Sequence, residues 1–333
     1  MKKILYYFEE SDDLTGGTQY FNDLLRSLED DITFKVINIK HKFNRLKLLQ
    51  RYIKFILVRE NTDAHYILNY LPIFFSRNRK FLSNSITIFH HYDPSQQIEH
   101  KKLYDYLFRQ YFSKLKLIHT VVVVSEYWKK YLESYEVSNV KVIYNPIDTN
   151  HLDIVVNTAK NNDKIKTQFG LDISKKIVYI GPSKKNKGTE KVYKMLKHSN
   201  YSLVTTGPNT LKLPIRNFNL GYDDYLKLLK ICDVIIAMSE FNEGWNRIAA
   251  EAMYMRVPVV GARKGGLEEL LTKGNQLICD DVGNIEDLIE IAVANKTKLG
   301  NKGHNFVKQF DYKYFKKEWL SLIENLLGEP TNC

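Results

Sequence analysis

"DVIIAMSEFNEGWNRIAAEAMYM", Asp233 to Met255, opens with a short apolar run and closes in an Ala-rich segment with helical spacing. "DVIIAMSEF" reads as a buried strand, Asn242-Glu243-Gly244 as the turn after it, and "WNRIAAEAMYM" as the start of a helix. A buried strand feeding a helix is half of a βαβ unit, and the pattern recurs almost from end to end. Further strands are expected at "KILYYF", "FKVINI", "AHYILNY", "SITIFHH", "TVVVVS" and "VKVIYNP" in the first half. In the second half they are expected at "KIVYIG", "YSLVTTG", "VPVVGA" and "NQLICD". This alternation predicts an α/β chain of two doubly wound Rossmann-like domains facing each other across a cleft, with ligands at the C-terminal edges of the sheets.

Between Pro146 and about Ser174 lies "DTNHLDIVVNTAKNNDKIKTQFGLDIS", a polar stretch rich in Asn, Asp and Lys, which reads as the domain boundary. The expected division is a first domain at 1–150, a second at 151–310, and a C-terminal helix at 311–333 that can pack back toward the first. That last segment, "DYKYFKKEWLSLIENLL", carries Phe315, Trp319, Leu322, Ile323 and Leu326 at helical spacing.

Composition agrees with two cores: 333 residues, 44% of them hydrophobic, are enough for two domains. Lys and Arg exceed Asp and Glu by 49 to 38, a net +11, which suits an anionic partner such as a phosphorylated small molecule, acidic lipid or nucleic acid. No helix-turn-helix or zinc-finger spacing accompanies the basic clusters, so nucleic acid is not expected as a partner. Cys232, Cys279 and Cys333 lie far apart without a C-x-x-C, which argues against a zinc site or a disulfide framework and fits a reducing compartment. The N-terminal "MKKILYYFEES" stops being apolar at Glu9, too early for a signal peptide. No stretch approaches the roughly 20 apolar residues of a membrane span.

Glu243 and Glu251 stand eight residues apart, so on one helix they would be separated by roughly 12 Å and could share neither a proton nor a metal. They could contact two ends of one elongated ligand, with the free N–H groups near Asn246 and Arg247 forming an anion site between them. A nucleotide sugar has that layout: sugar hydroxyls, diphosphate, ribose hydroxyls. Taken alone, the same two residues also suit a loop charge and a solvated helix position.

The E-x7-E element followed by "AMYMRVPVVGARKGGLEELL" resembles the donor site of retaining GT-B glycosyltransferases, especially family GT4 (glycosyltransferase group 1). In order along the chain, "TGGTQYF", "VVVVSEYWKKYL", "VKVIYNPID" and "IVYIGPSKKNKG" agree with that resemblance. It implies an acceptor-binding first domain and a donor-binding second one. Glu243 would bind the donor sugar's hydroxyls, Glu251 the ribose, and backbone amides from Gly244 through Trp245 to Asn246 the sugar or phosphate. Gly16 and Gly17 would let the first domain's loop approach the diphosphate, and Lys187 would stabilise the leaving group. The family's usual arginine after the strand-ending glycine is replaced by Pro182, leaving Lys184, Lys185 and Arg247 as candidate second cations beside Ser183. His90 or His91 would stand near the donor sugar and acceptor; strand alternation sends them to opposite faces, so one of the two faces the ligand.

The activity so implied is transfer of a sugar, with retention, from a UDP-sugar by preference to a hydroxyl of a glycan or lipid-linked acceptor in surface polysaccharide or glycolipid synthesis. No Asp-x-Asp occurs, which suits a reaction without metal or other cofactor. A nucleotide-sugar epimerase, a phosphorylase on the same fold, or an inactive basic binding protein are the alternatives. "KHKFNRLKLLQRYIKFILVR", 40–59, has seven Lys/Arg and no acid; as a helix it would carry a basic and an apolar face. Such a helix can lie on an anionic membrane, which with "PIFFSRNRKF" would place a cytoplasmic protein on the inner membrane face; the other reading is a helix on its own sheet with a solvated basic face.

Overall fold

The structure is a computed structural model that describes residues 3–9, 16–38, 64–92, 101–158 and 161–328. The chain forms two units, one of Met1–Pro146 with Tyr312–Cys333 and one of Ile147–Asp311. The basic segment 40–59 lies outside the described residues.

In the first unit six strands form one parallel sheet: β1 (Lys3–Glu9), β2 (Ile32–Asn38), β3 (His65–Leu68), β4 (Ser85–Phe89), β5 (Thr120–Val123) and β6 (Val140–Val142). Their order is β2-β1-β3-β4-β5-β6, so the direction of winding reverses between β1 and β3. Central strands such as β5 are buried along almost their whole length, which is why they read as continuous apolar runs rather than alternating ones. Tyr20, on the helix Gly16–Leu28, is fully buried and ties several elements together. Its hydroxyl donates to the Ile143 carbonyl (3.1 Å) and accepts from Trp319 Nε1 (3.2 Å) on the C-terminal helix Tyr312–Leu326. Its ring meets Phe315 edge-on at 5.1 Å. The apolar stripe of the C-terminal helix is thus buried within the first unit.

The second unit repeats the architecture with β7 (Ile177–Pro182), β8 (Ser202–Thr206), β9 (Arg216–Phe218), β10 (Val234–Ala237), β11 (Val259–Ala262) and β12 (Leu277–Cys279). All pairings are parallel in the order β12-β11-β10-β7-β8-β9, with the reversal between β7 and β10. β9 was not expected from the sequence: three residues with no alternation, at the sheet edge, leave no periodic signal.

The polar stretch after Pro146 is also more ordered than its composition suggests. It holds the helices Thr149–Thr158 and Asn162–Gln168, which bury Leu152, Val155 and Ile165. A few apolar residues at helical spacing suffice, because only one face of each helix needs to be covered. Where the chain passes between units, the Ile147 N–H donates to the Phe310 carbonyl (2.7 Å), and Ile147 pairs with Asp311 as a parallel bridge.

Trp319 is fully buried and anchors the C-terminal helix. Trp319→Ala is expected to cost about 3–5 kcal/mol through the cavity it leaves and the orphaned Tyr20 hydroxyl. Urea denaturation followed by circular dichroism checks this; a loss below about 1 kcal/mol would show that the helix is dispensable to its unit.

Candidate active site

The reversal between β7 and β10 marks where an open α/β sheet receives ligands. Two loops meet there. From β7 the chain turns through Ser183 and Lys184 into a single 3-10 turn, Lys185–Lys187, before the helix Thr189–Leu196. From β10 it runs through Ser239 and Glu240 to Glu243 and then the helix Arg247–Tyr254.

Glu243 is buried, and its Oε1 collects three donors. Lys187 Nζ lies 2.5 Å away, Ser239 Oγ makes a short hydrogen bond, and Asn246 Nδ2 is at 3.4 Å. Lys187 also stands over the Phe241 ring, 4.7 Å from its centroid. A carboxylate withdrawn from water needs such partners, since an unpaired buried charge is costly. Lys187 and Glu243, assigned separate tasks from the sequence, are therefore partners of each other in the ligand-free chain.

Backbone geometry holds both loops in place. Gly188 has φ +70°, and a Cβ there would fall 2.0 Å from the Met238 carbonyl, so only glycine lets the Lys187 turn lie against the end of β10. The Glu240 N–H completes that contact by donating to the Asn186 carbonyl at 3.0 Å. Gly265, with φ +60°, does the same for the other loop: Glu243 and Gly265 form a parallel bridge, the Gly266 N–H donates to the Glu243 carbonyl (2.8 Å), and a Cβ at Gly265 would sit 2.6 Å from that oxygen.

The helix predicted to open at Trp245 begins at Arg247 instead. Asn246 is its N-cap and accepts from the Ala249 N–H at 2.9 Å, so its side chain serves both the helix and Glu243. Trp245 is buried with its ring edge-on to Phe310 at 5.8 Å, which commits that side chain to packing. Glu251 lies one turn inside the helix and is also buried. Its Oε1 accepts from the Tyr222 hydroxyl at 2.8 Å, and Arg247 Nε is 3.9 Å from the same oxygen.

Of the other expected residues, Ser183 is buried, and its Oγ accepts from the Leu211 N–H at 3.1 Å, fastening the loop after β8. Lys184 and Lys185 are exposed beside it. Pro182 ends β7, and its carbonyl accepts from Thr189 Oγ1 at 2.7 Å. A cavity of about 460 Å³ adjoins this region; Gly188, Ser239, Glu240 and Lys264 are among its lining residues.

In the first unit, Gly16 and Gly17 are the first residues of the helix Gly16–Leu28, at its N–H-rich end. A Cβ on Gly17 would lie 3.1 Å from His90 Cδ2, and Tyr20 meets the His90 ring edge-on at 5.4 Å. The structure thus brings His90, not His91, to the glycines; His91 is exposed. Burial first, and the neighbouring His91 second, lower the His90 pKa to about 4, so the imidazole is neutral near pH 7.

Sequence reasoning missed Ser239, Tyr222 and the bracing roles of Gly188 and Gly265. The two glycines stood in recognised strings, "NKG" and "KGG", without a stated task. Tyr222 begins a helix 29 residues before Glu251, and nothing in its local sequence signals the contact.

Two outcomes are expected from this geometry. Gly188→Ala should destabilise the protein by about 1–3 kcal/mol, the range for a residue forced into a sparsely allowed conformation, as urea denaturation would show. Because His90 binds its proton more weakly in the folded chain than in the unfolded one, stability is complete above about pH 6.5 and falls as pH drops toward about 4. An NMR titration of the His90 ring should give a midpoint near 4, and His90→Gln should flatten that acid limb.

The model for glycosyl transferases group 1 matches residues 161–306, and that for glycosyltransferase family 4 matches residues 22–151. An uncharacterised glycosyltransferase of Methanocaldococcus jannaschii is 25% identical over 212 residues, 58% of this chain; the chain spans 56% of that relative's length. Among solved structures, HepE of Anabaena in complex with UDP matches with a TM-score of 0.72 at 14% identity, covering 97% of this chain and 100% of that one. Sucrose-phosphate synthase of Thermosynechococcus elongatus matches with a TM-score of 0.76 at 15% identity, covering 98% and 100%. With both family models matched in chain order and two parallel six-stranded sheets of the GT-B kind, the chain belongs to the group 1 glycosyltransferases, family 4, a family of transferase enzymes.

Proposed function

We propose that the protein transfers a sugar from a nucleoside diphosphate donor, a UDP-sugar by preference, to a hydroxyl of a glycan or lipid-linked acceptor, with retention of anomeric configuration and without a metal. The observation that carries this reading is the Lys187–Glu243 pair at the reversal between β7 and β10, with Glu251 one turn into the adjoining helix. An ammonium, a carboxylate and a second carboxylate in that order suit a diphosphate flanked by sugar and ribose hydroxyls. HepE of Anabaena, whose structures include complexes with UDP and with UDP-glucose, supports the choice of nucleotide.

In this reading Lys187 turns from Glu243 toward the diphosphate and stabilises the charge that develops on the leaving oxygen. Glu243, still held by Ser239 and Asn246, accepts from the donor sugar's hydroxyls. Glu251 accepts from the ribose. The bond from the anomeric carbon to the phosphate oxygen breaks, and the electron pair leaves with the nucleoside diphosphate. The acceptor oxygen bonds to the same face of that carbon, and its proton passes to the departing phosphate oxygen. No protein nucleophile is required. Exposed Lys184 and the first-turn Arg247 are the cations assigned to offset the loss of arginine at Pro182. In the first unit, the amides of Gly16 and Gly17 are assigned to the diphosphate and the neutral His90 to the hydroxyls of sugar and acceptor.

A role at a membrane surface belongs to this proposal through the basic segment 40–59. Among the described residues no helix is long and apolar enough to cross a membrane.

The test is thermal stability in the presence of UDP, GDP, ADP and TDP with EDTA present, followed by turnover of the matching sugar nucleotides. UDP at a hundredfold over its dissociation constant should add about 2.7 kcal/mol of stability, and Glu251→Ala should abolish that gain. Inversion at the product's anomeric carbon, seen by NMR, would overturn the retaining assignment. Loss of turnover on removing divalent ions would overturn the metal-free one.

A further inference from the structure

The Glu251 carboxylate is unusual in how its orientation is fixed. Tyr222, the first residue of the helix Tyr222–Ile231, is 45% exposed, yet its hydroxyl reaches the buried Oε1 of Glu251 at 2.8 Å. Its ring is set by two nearly parallel neighbours: His151 at 5.7 Å and 20°, and Tyr225 at 6.1 Å and 22°. His151 is itself restrained. Its Nε2 contacts Asp223 Oδ1 at 2.9 Å, and its N–H donates to Asp148 Oδ1 at 3.0 Å. The restraint therefore runs from Asp148 and Asp223 through His151 to Tyr222 and ends on one carboxylate oxygen.

We propose that Tyr222 is the positioning residue that commits Oε1 of Glu251 and aims Oε2 at a ribose hydroxyl, so that Tyr222 sets the preference for ribonucleotide over deoxyribonucleotide donors. This rests on the reading of Glu251 as the ribose ligand. A free glutamate side chain has several rotamers, and holding it for a ligand costs entropy at the moment of binding. Here that ordering is already done. A carboxylate that cannot swing away also penalises a ligand lacking the hydroxyl, because the donor it is held for is then missing. Remove the Tyr222 hydroxyl and the carboxylate can turn elsewhere, which lowers affinity for the ribonucleotide and relaxes rejection of the deoxy form. Tyr222 touches Glu251 in the free chain; its action on the ligand is through that carboxylate.

The experiment is isothermal titration of UDP, 2′-deoxy-UDP and 3′-deoxy-UDP into the wild type, Tyr222→Phe, His151→Ala and Glu251→Ala. Wild type should favour UDP over at least one deoxy form by about tenfold or more, the worth of a hydrogen bond to a charged group. Tyr222→Phe, which keeps the ring stack and hence the fold, should weaken UDP binding and shrink that ratio toward unity. His151→Ala should move the ratio the same way without touching Glu251. A merely structural role would lower the melting temperature and leave the ratio unchanged. An unchanged ratio in Tyr222→Phe, with UDP binding lost in Glu251→Ala, overturns the positioning role and leaves the ribose assignment standing. UDP binding unaltered in Glu251→Ala overturns the ribose assignment and this inference with it.

Discussion

Two carboxylates buried at the edge of one sheet are the constraint around which the second unit is arranged. Glu243 and Glu251 are both nearly inaccessible, and a buried carboxylate persists only where donors replace its water. Glu243 draws Lys187 from one loop, Ser239 from the end of its own strand and Asn246 from a helix cap. Glu251 draws the Tyr222 hydroxyl from another helix, with Arg247 beside it. These contacts fasten four separate chain segments together where the strand order reverses. The donors that hold the carboxylates are also those a phosphorylated sugar would engage, so the site is preorganised by the same contacts that make its burial tolerable.

Close backbone approach makes this possible. The Lys187 turn lies against β10 only because Gly188 presents no Cβ to the Met238 carbonyl, and the Glu243 loop pairs with Gly265 for the same reason. In the first unit Tyr20 does comparable work by side-chain contact. It joins the strand end at Ile143 to the C-terminal helix through hydrogen bonds and supports the His90 ring over Gly17. A single fully buried tyrosine thus couples the stability of the first unit to the placement of its one neutral candidate histidine.

Most strands could be read directly because parallel sheets bury both faces, and short runs of Val, Ile and Tyr bounded by turn residues suit little besides a strand covered on both sides. β9 could not, being three residues at an edge where packing demands least. The stretch after Pro146 was judged by its polar majority, whereas its few buried residues, Leu152, Val155 and Ile165, decide its helical form. The start of the helix at Arg247 was placed two residues early because Asn246 works as a cap, and cap geometry depends on where its side chain finds an acceptor role.

The amino-acid sequence by itself determined the α/β class, eleven of the twelve strands, and the strings in which Lys187, Glu243, Glu251 and the glycines stand, because apolar periodicity and short motifs are local properties of the chain. Only the tertiary structure decided which groups meet. That Lys187 pairs with Glu243 across 56 residues, that Tyr222 holds Glu251, and that His90 rather than His91 lies over Gly17 follow from strand order and helix packing. Contacts of that kind are set by the balance of burial against unsatisfied charge over the whole unit, and no local stretch of sequence carries that balance.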